Sequence, residues 1–190
     1  RIASFKENTV EQFQNALNQL LKQGAKGLVF DVREDGGGLV AALEKIVDPL
    51  LPAGDIATAT YQDGTTKVLV HSDANELNLP MMVLVNGNTA SAAELFTASL
   101  KDFGKAEVIG EQTFGKGIMQ NTFELPDGGA VTLTVATYQT TKGECYHGVG
   151  ITPDVIMEED YEKVDFDHPN PEQDAQLKQA MELLQSKINS

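Results

Sequence analysis

The chain is short of the residues that most enzymes use for redox, metal and histidine chemistry. Its single cysteine, Cys145, excludes an internal disulfide and any site built from several cysteines. Its three histidines, His71, His147 and His168, have no partners at ligand spacing, so neither a histidine triad nor a zinc site is supported. No run of residues reaches the ~18–20 apolar positions of a membrane span. Basic residues are scarce: 14 Lys+Arg stand against 28 Asp+Glu, a net charge of −14, which argues against a nucleic-acid partner. No initiator methionine and no leader segment open the sequence, and the start at Arg1 reads as a processed or excised fragment.

What is present suits one domain of 190 residues with a substantial core. Thr9-Val10-Glu11-Gln12 has capping-box form, and Val10, Phe13, Leu17 and Leu20 follow at helical spacing until Gly24. Lys26 to Val32 is a short apolar run of buried-strand type. It leads through Arg33-Glu34-Asp35-Gly36-Gly37-Gly38 into a helical stretch ending near Pro52. Asp55 to Tyr61 and Thr66 to His71 flank an Asp63-Gly64 hairpin turn. Pro80 to Val85 is a further strand, Ser91 to Phe103 a helix, and Ala106 to Gly110 a strand. Gly117 to Leu125 pairs with Ala130 to Tyr138, and an amphipathic helix runs from Pro171 to about Ile188. The acidic run from Glu158 to Asp167 reads as a solvated segment. Strands alternating with helices, then hairpins, predict an α/β layered domain with a mixed sheet.

Two segments carry candidate chemistry. Ser91-Ala92-Ala93-Glu94 is by itself a capping box, in which the serine does no chemistry. A serine at a helix start also sets its Oγ beside free backbone N–H groups, a place for an acyl-transfer oxyanion. Lys116 lies between Gly115 and Gly117, with Gln120 four positions on. A neutral lysine can take a serine's proton, and burial lowers a lysine's pKa in the needed direction. In an extended strand Lys116, Ile118 and Gln120 share one face, which lets the glutamine aim the lysine. Gly110 to Lys116 also matches the glycine and lysine positions of a phosphate-binding loop, but Gly117 replaces the metal-ligating hydroxyl and an extended segment replaces the helix. The Gly36-Gly37-Gly38 turn presents N–H groups suited to an oxyanion or to a phosphate, and equally serves as a tight strand–helix connection.

Together these residues resemble the carboxyl-terminal processing, or tail-specific, serine peptidases. Asp31-Val32-Arg33-Glu34-Asp35-Gly36-Gly37-Gly38-Leu39 is similar to the family's Asp-Leu-Arg-x-Asn-Pro-Gly-Gly-Leu. Val83 to Glu94 is similar to its nucleophile segment, Gly110 to Gln120 to Gly-x-x-Thr-Phe-Gly-Lys-Gly-x-x-Gln, and Gly148 to Asp154 to Gly-x-Gly-Ile-x-Pro-Asp. Ser91 and Lys116 also keep the family's separation. The resemblance implies a crotonase/Clp-peptidase-like layered domain with a mixed β-sheet flanked by helices. It implies that residues 1–190 form one catalytic core with an acidic segment and helix from about 157, lacking the PDZ and targeting segments that usually precede it. Ser91 is then the nucleophile, Lys116 its base, Gln120 the lysine's orienting partner, and the Gly37 and Ala92 amides the oxyanion hole. No cofactor or metal is implied. The implied partners are proteins or peptides with an accessible C-terminal tail, with homo-oligomers allowed, and the implied location is periplasm or cell envelope. Asp35-Gly36 departs from Asn-Pro, which implies a looser Gly37 loop. A non-catalytic module binding apolar ligands or peptides on the same fold is the rival reading.

Overall fold

The computed structural model describes residues 1–73 and 75–189. Its strands form two four-stranded sheets. β1 (Leu28–Asp31), β4 (Met81–Val85), β5 (Ala106–Gly110) and β8 (Val155–Ile156) lie in the order β1-β4-β5-β8, all parallel. β2 (Gly54–Tyr61), β3 (Thr66–Ser72), β6 (Ile118–Glu124) and β7 (Ala130–Thr140) lie in the order β3-β2-β7-β6, all antiparallel. The layered α/β architecture expected from the sequence is present, with parallel and antiparallel pairings in separate sheets.

The parallel sheet is covered on both faces, and strand β4 shows why its sequence is apolar throughout. Its residues Met81, Val83 and Val85 face the main core, while Met82 and Leu84 face a second cluster with Ala180 and Leu184 of α4 (Ala175–Asn189). All five are buried, so alternation along the strand yields two apolar faces instead of one wet face. On the other side, α3 (Ala92–Asp102) touches both β5 and β7 and buries its first nine residues. This helix is the central pillar between the sheets, and its N-terminus carries Ser91.

The first helix, α1 (Glu7–Lys22), starts before the position its capping pattern suggested. Lys6 takes the N-cap place and Thr9 is the third helical residue, where its Oγ1 accepts the Lys6 N–H at 3.2 Å and donates to the Ser4 carbonyl at 2.9 Å. Val10, Phe13 and Leu17 pack on the core as their spacing predicts, whereas Leu20 is half exposed. The last helix is tied back by Arg33, which is 1% exposed and spends its donors on Asp31, Asp174 and Gln176. A buried guanidinium is tolerated only when so fully paired. That pairing anchors the C-terminal segment beneath the loop that carries Gly37. No described helix is long and apolar enough to cross a membrane.

Candidate active site

Strand β4 ends at Val85, and the chain turns through Asn86 to Ser91 before α3 begins. Ser91 has φ 57° and ψ −119°, and Glu34 has φ 61°. These are the non-glycine residues with positive φ among those described. Such backbone is sparsely populated, costs ~1–3 kcal/mol per residue, and persists only where the surroundings over-determine it.

The surroundings do so with a continuous network. Thr89 Oγ1 donates to the Val32 carbonyl at 2.9 Å and accepts the Asn86 N–H, while the Ala90 N–H donates to the Asp35 carbonyl. Glu34 receives the Asn86 side-chain amide at 2.6 Å and that of Asn88 at 2.9 Å. The Arg33–Gly38 loop and the Ser91 turn are thereby stitched together.

On the far side of Ser91, Glu94 is completely buried and its carboxylate takes four donors. Oε2 accepts the Ser91 N–H at 2.9 Å and the Lys116 N–H at 2.7 Å. Oε1 accepts the Thr113 hydroxyl and the Gly115 N–H, both at 2.6 Å. The capping-box role of Glu94 toward Ser91 is real, but it is half of the function of this side chain. Four charge-assisted bonds saturate the carboxylate's acceptor capacity and seat the Lys116 loop against the serine turn. Behind that loop the Ile151 N–H donates to Thr113 Oγ1 at 2.7 Å, and a Cβ on Gly115 (φ +89°) would lie 2.9 Å from the Gly150 nitrogen. The four sequence segments thus form one contiguous structure.

At the centre, Ser91 Oγ lies 3.4 Å from the hydroxyl of Tyr138, which donates to the Lys116 carbonyl at 2.8 Å. The Lys116 side chain is half-buried, and no hydrogen bond joins its Nζ to Ser91 or to Gln120. Gln120 is exposed on β6, next to the register shift between Met119 and Gln120. The structure therefore brings the Ser91 and Lys116 main chains together and leaves their side chains, and that of Gln120, unjoined.

Ala92 is the first residue of α3 and has no hydrogen-bond acceptor for its N–H among the described residues, leaving that N–H at the positive end of the helix. Gly37 packs directly on it: a Cβ there would sit 2.7 Å from the Ala92 nitrogen and 2.8 Å from Ser91 Cβ, and φ is +96°. Only glycine fits this approach. The Gly37 N–H, however, donates to Asp35 Oδ1 at 2.8 Å. The Asp35 side chain is fully buried and its Oδ2 has no partner. Burial pushes its pKa up to about 6, against the pull of the Gly37 N–H and the charge of Arg1.

His147 Nδ1 lies 3.2 Å from the Gly115 carbonyl, whereas His71 and His168 pair with the exposed Asp55 and Asp165. No group of three or more metal-ligating side chains exists among the described residues.

Residues 1–157 match the family described as Peptidase family S41. The chain belongs to that family. It is 36% identical over 184 residues to a carboxyl-terminal-processing protease of Synechocystis, covering 97% of this chain and 43% of that protein. It is 38% identical over 168 residues to the carboxy-terminal processing protease CtpA of Bacillus subtilis, covering 87% of this chain and 36% of that protein. Among solved structures, the photosystem II D1 C-terminal processing protease superposes with a TM-score of 0.78 at 39% identity, over 83% of this chain and 41% of that one. A putative S41 protease from Bacteroides fragilis shares the fold, with a TM-score of 0.79 over 96% of this chain and 52% of that one. The chain spans less than half the length of these curated relatives.

Within this S41 chain the residues that sequence reading missed are Tyr138, Asp35 and the wider role of Glu94. Tyr138 lies 47 positions from Ser91 in a strand without a local signature. Asp35 was visible only as a departure from a family pattern.

Proposed function

We propose that this S41 chain is the catalytic core of a serine endopeptidase that cleaves proteins selected by their C-terminal tails. Ser91 is the nucleophile and Lys116, unprotonated, its general base. The observation that carries the reading is the Glu94 carboxylate, which receives the Ser91 and Lys116 N–H groups on one oxygen. A cap alone has no need to hold a second loop 22 residues away. The positive φ of Ser91 supports the same reading, because strain at a half-buried serine is retained where position matters more than stability.

In the proposed reaction Lys116 Nζ swings onto Ser91 Oγ and takes its proton as Oγ attacks the scissile carbonyl. The carbonyl oxygen becomes an oxyanion held by the Ala92 N–H, with the Gly37 N–H joining once it leaves Asp35. Lys116 then protonates the departing amine, and a water activated by the same lysine releases the acyl group. Gln120 orients the lysine in the loaded enzyme. We place the parent protein in periplasm or cell envelope, acting on protein tails there.

Covalent labelling by a fluorophosphonate probe with intact-mass readout tests the reading. Labelled wild type with unlabelled Ser91→Ala and Lys116→Ala is the expected result; equal labelling of Lys116→Ala removes the dyad. A cavity of about 510 Å³ between α1 and β1, lined in part by Phe13, Leu17, Leu28 and Phe30, is the feature that favours the rival ligand-binding module. It shares no residue with the Ser91 site, and an unlabelled wild type that binds apolar fluorophores would decide for it.

A further inference from the structure

Tyr138 is held where it can act on the nucleophile. The residue is 3% exposed and its ring packs edge-on against Tyr146 at 6.1 Å. Its N–H donates to the Gly117 carbonyl at 3.0 Å and its hydroxyl to the Lys116 carbonyl at 2.8 Å. The residue thus grips two consecutive carbonyls of the lysine loop while its oxygen sits 3.4 Å from Ser91 Oγ. A phenol has one hydrogen, and here it goes to Lys116. The Ser91 contact therefore has the serine donating to Tyr138, and the resting chain runs from Ser91 O–H to Tyr138 O–H to the Lys116 carbonyl.

We propose that Tyr138 is a further catalytic residue, whose hydroxyl swings from the Lys116 carbonyl to Ser91 Oγ as the serine loses its proton. The inference rests on Ser91 being the nucleophile and Lys116 the base. Ser91 gives its hydrogen to unprotonated Lys116 Nζ, which becomes an ammonium, and Oγ takes the negative charge. Tyr138 then turns its O–H, without releasing the hydrogen, to donate to that oxygen until the bond to the acyl carbon has formed. Burial holds the Tyr138 phenol above its ordinary pKa, with the nearby Glu94 acting in the same direction, so it remains a donor at neutral pH and is excluded as the base. The device suits a site with no histidine at the serine, because it supplies the alkoxide with a neutral donor that does not compete for the lysine's proton.

The test is the rate of fluorophosphonate labelling, resolved into probe affinity and maximal inactivation rate, with melting temperature measured alongside. In Tyr138→Phe the ring is kept, so probe affinity stays at the wild-type value and the inactivation rate falls about 100-fold, the order seen for loss of one donor to developing negative charge. An unchanged inactivation rate in a labelled, folded Tyr138→Phe protein overturns the role of Tyr138 and leaves the dyad standing. An unlabelled wild type overturns the dyad and Tyr138 with it. If Tyr138→Phe does not fold, 3,5-difluorotyrosine placed at 138 preserves size and both contacts while making the phenol more acidic. Labelling must then fail at lower pH than in wild type, since ionised Tyr138 has no hydrogen to give. An alkaline limb that does not move overturns the proposal, and so does one that only tracks an equal shift in the pH at which the melting temperature falls, since that marks loss of the Lys116 carbonyl contact alone.

Discussion

The turn that carries Ser91 and the loop that carries Gly37 meet at van der Waals distance, yet they are built to different standards. In the Ser91 turn, the polar groups of Asn86, Thr89 and Glu94 are paired, and Glu94 alone makes four bonds. In the Gly37 loop, the amide proposed to meet an oxyanion is tied to Asp35, whose second oxygen is buried without a partner. A buried carboxyl oxygen left bare costs roughly 1–3 kcal/mol or more. The backbone of the proposed nucleophile is therefore held in the resting chain, while one of the two proposed oxyanion donors is spent on Asp35.

The largest expected effects break the nucleophile side. Ser91→Ala and Lys116→Ala should lower peptide cleavage by at least ~10³-fold, as removal of a nucleophile or its base does, with melting temperature near that of wild type. Retained cleavage in either variant, measured with a quenched peptide, would remove that residue from the mechanism. Next comes Glu94→Ala, which strands the Ser91, Gly115 and Lys116 N–H groups and the Thr113 hydroxyl. Each buried donor left without an acceptor costs about 1–3 kcal/mol, so denaturant unfolding should shift strongly. Labelling of the remaining folded protein should be weak because the lysine loop is no longer seated. A Glu94→Ala protein with wild-type stability and labelling would show the carboxylate to be incidental.

Asp35 sharpens the other side of the comparison through pH. Its pKa is raised on folding, from an ordinary 3.8 to about 6, so the native state binds the proton more tightly than the unfolded chain. Its contribution to stability is therefore fully present below about pH 4 and is lost as pH rises through 6. The change amounts to about 3 kcal/mol from this one group at 1.36 kcal/mol per unit. Asp35→Asn keeps an acceptor for the Gly37 N–H and removes the titration. The stability difference between variant and wild type, followed by urea unfolding from pH 4 to pH 8, should grow in favour of Asp35→Asn. A difference that stays flat with pH would mean that the carboxyl is not desolvated in solution.

Much of this arrangement was readable in the residues, and the exceptions share a cause. The helix expected over Ser91 to Phe103 is Ala92–Asp102, and the hairpin expected across Pro126-Asp127-Gly128-Gly129 joins β6 to β7, because periodicity and turn chemistry act over a few residues. The division of the strands into a parallel and an antiparallel sheet was not readable, since it depends on which edges meet across the chain. The start of α1 was misplaced because Thr9 serves Lys6 from inside the helix instead of standing before it. Glu94 was legible as a partner of Ser91 three positions away, but its reach to Thr113, Gly115 and Lys116 is tertiary. Asp35 was legible only as a departure from the family's pattern, because the burial that turns its carboxyl onto the Gly37 N–H has no local signal.

The seam between the two loops is Glu34, and it offers the smallest and most discriminating perturbation. Its carboxylate receives the side-chain amides of Asn86 and Asn88, and its own N–H donates to Asn86 Oδ1. The side chain is exposed, so these bonds compete with water and their loss should cost no more than about 1 kcal/mol. Glu34→Ala would leave the positive φ in place without the clamp that holds it, whereas Glu34→Gly would also relieve the backbone. If the two loops work independently, both variants should label at nearly the wild-type rate with slightly lowered melting temperatures. If the Ser91 turn depends on the Gly37 loop for its aim, Glu34→Gly should label several-fold more slowly than Glu34→Ala even though its backbone is the less strained. Freedom at position 34 would then loosen the serine through Asn86, and that ordering of the two rates would show the preorganisation of the nucleophile to be borrowed from the less finished loop.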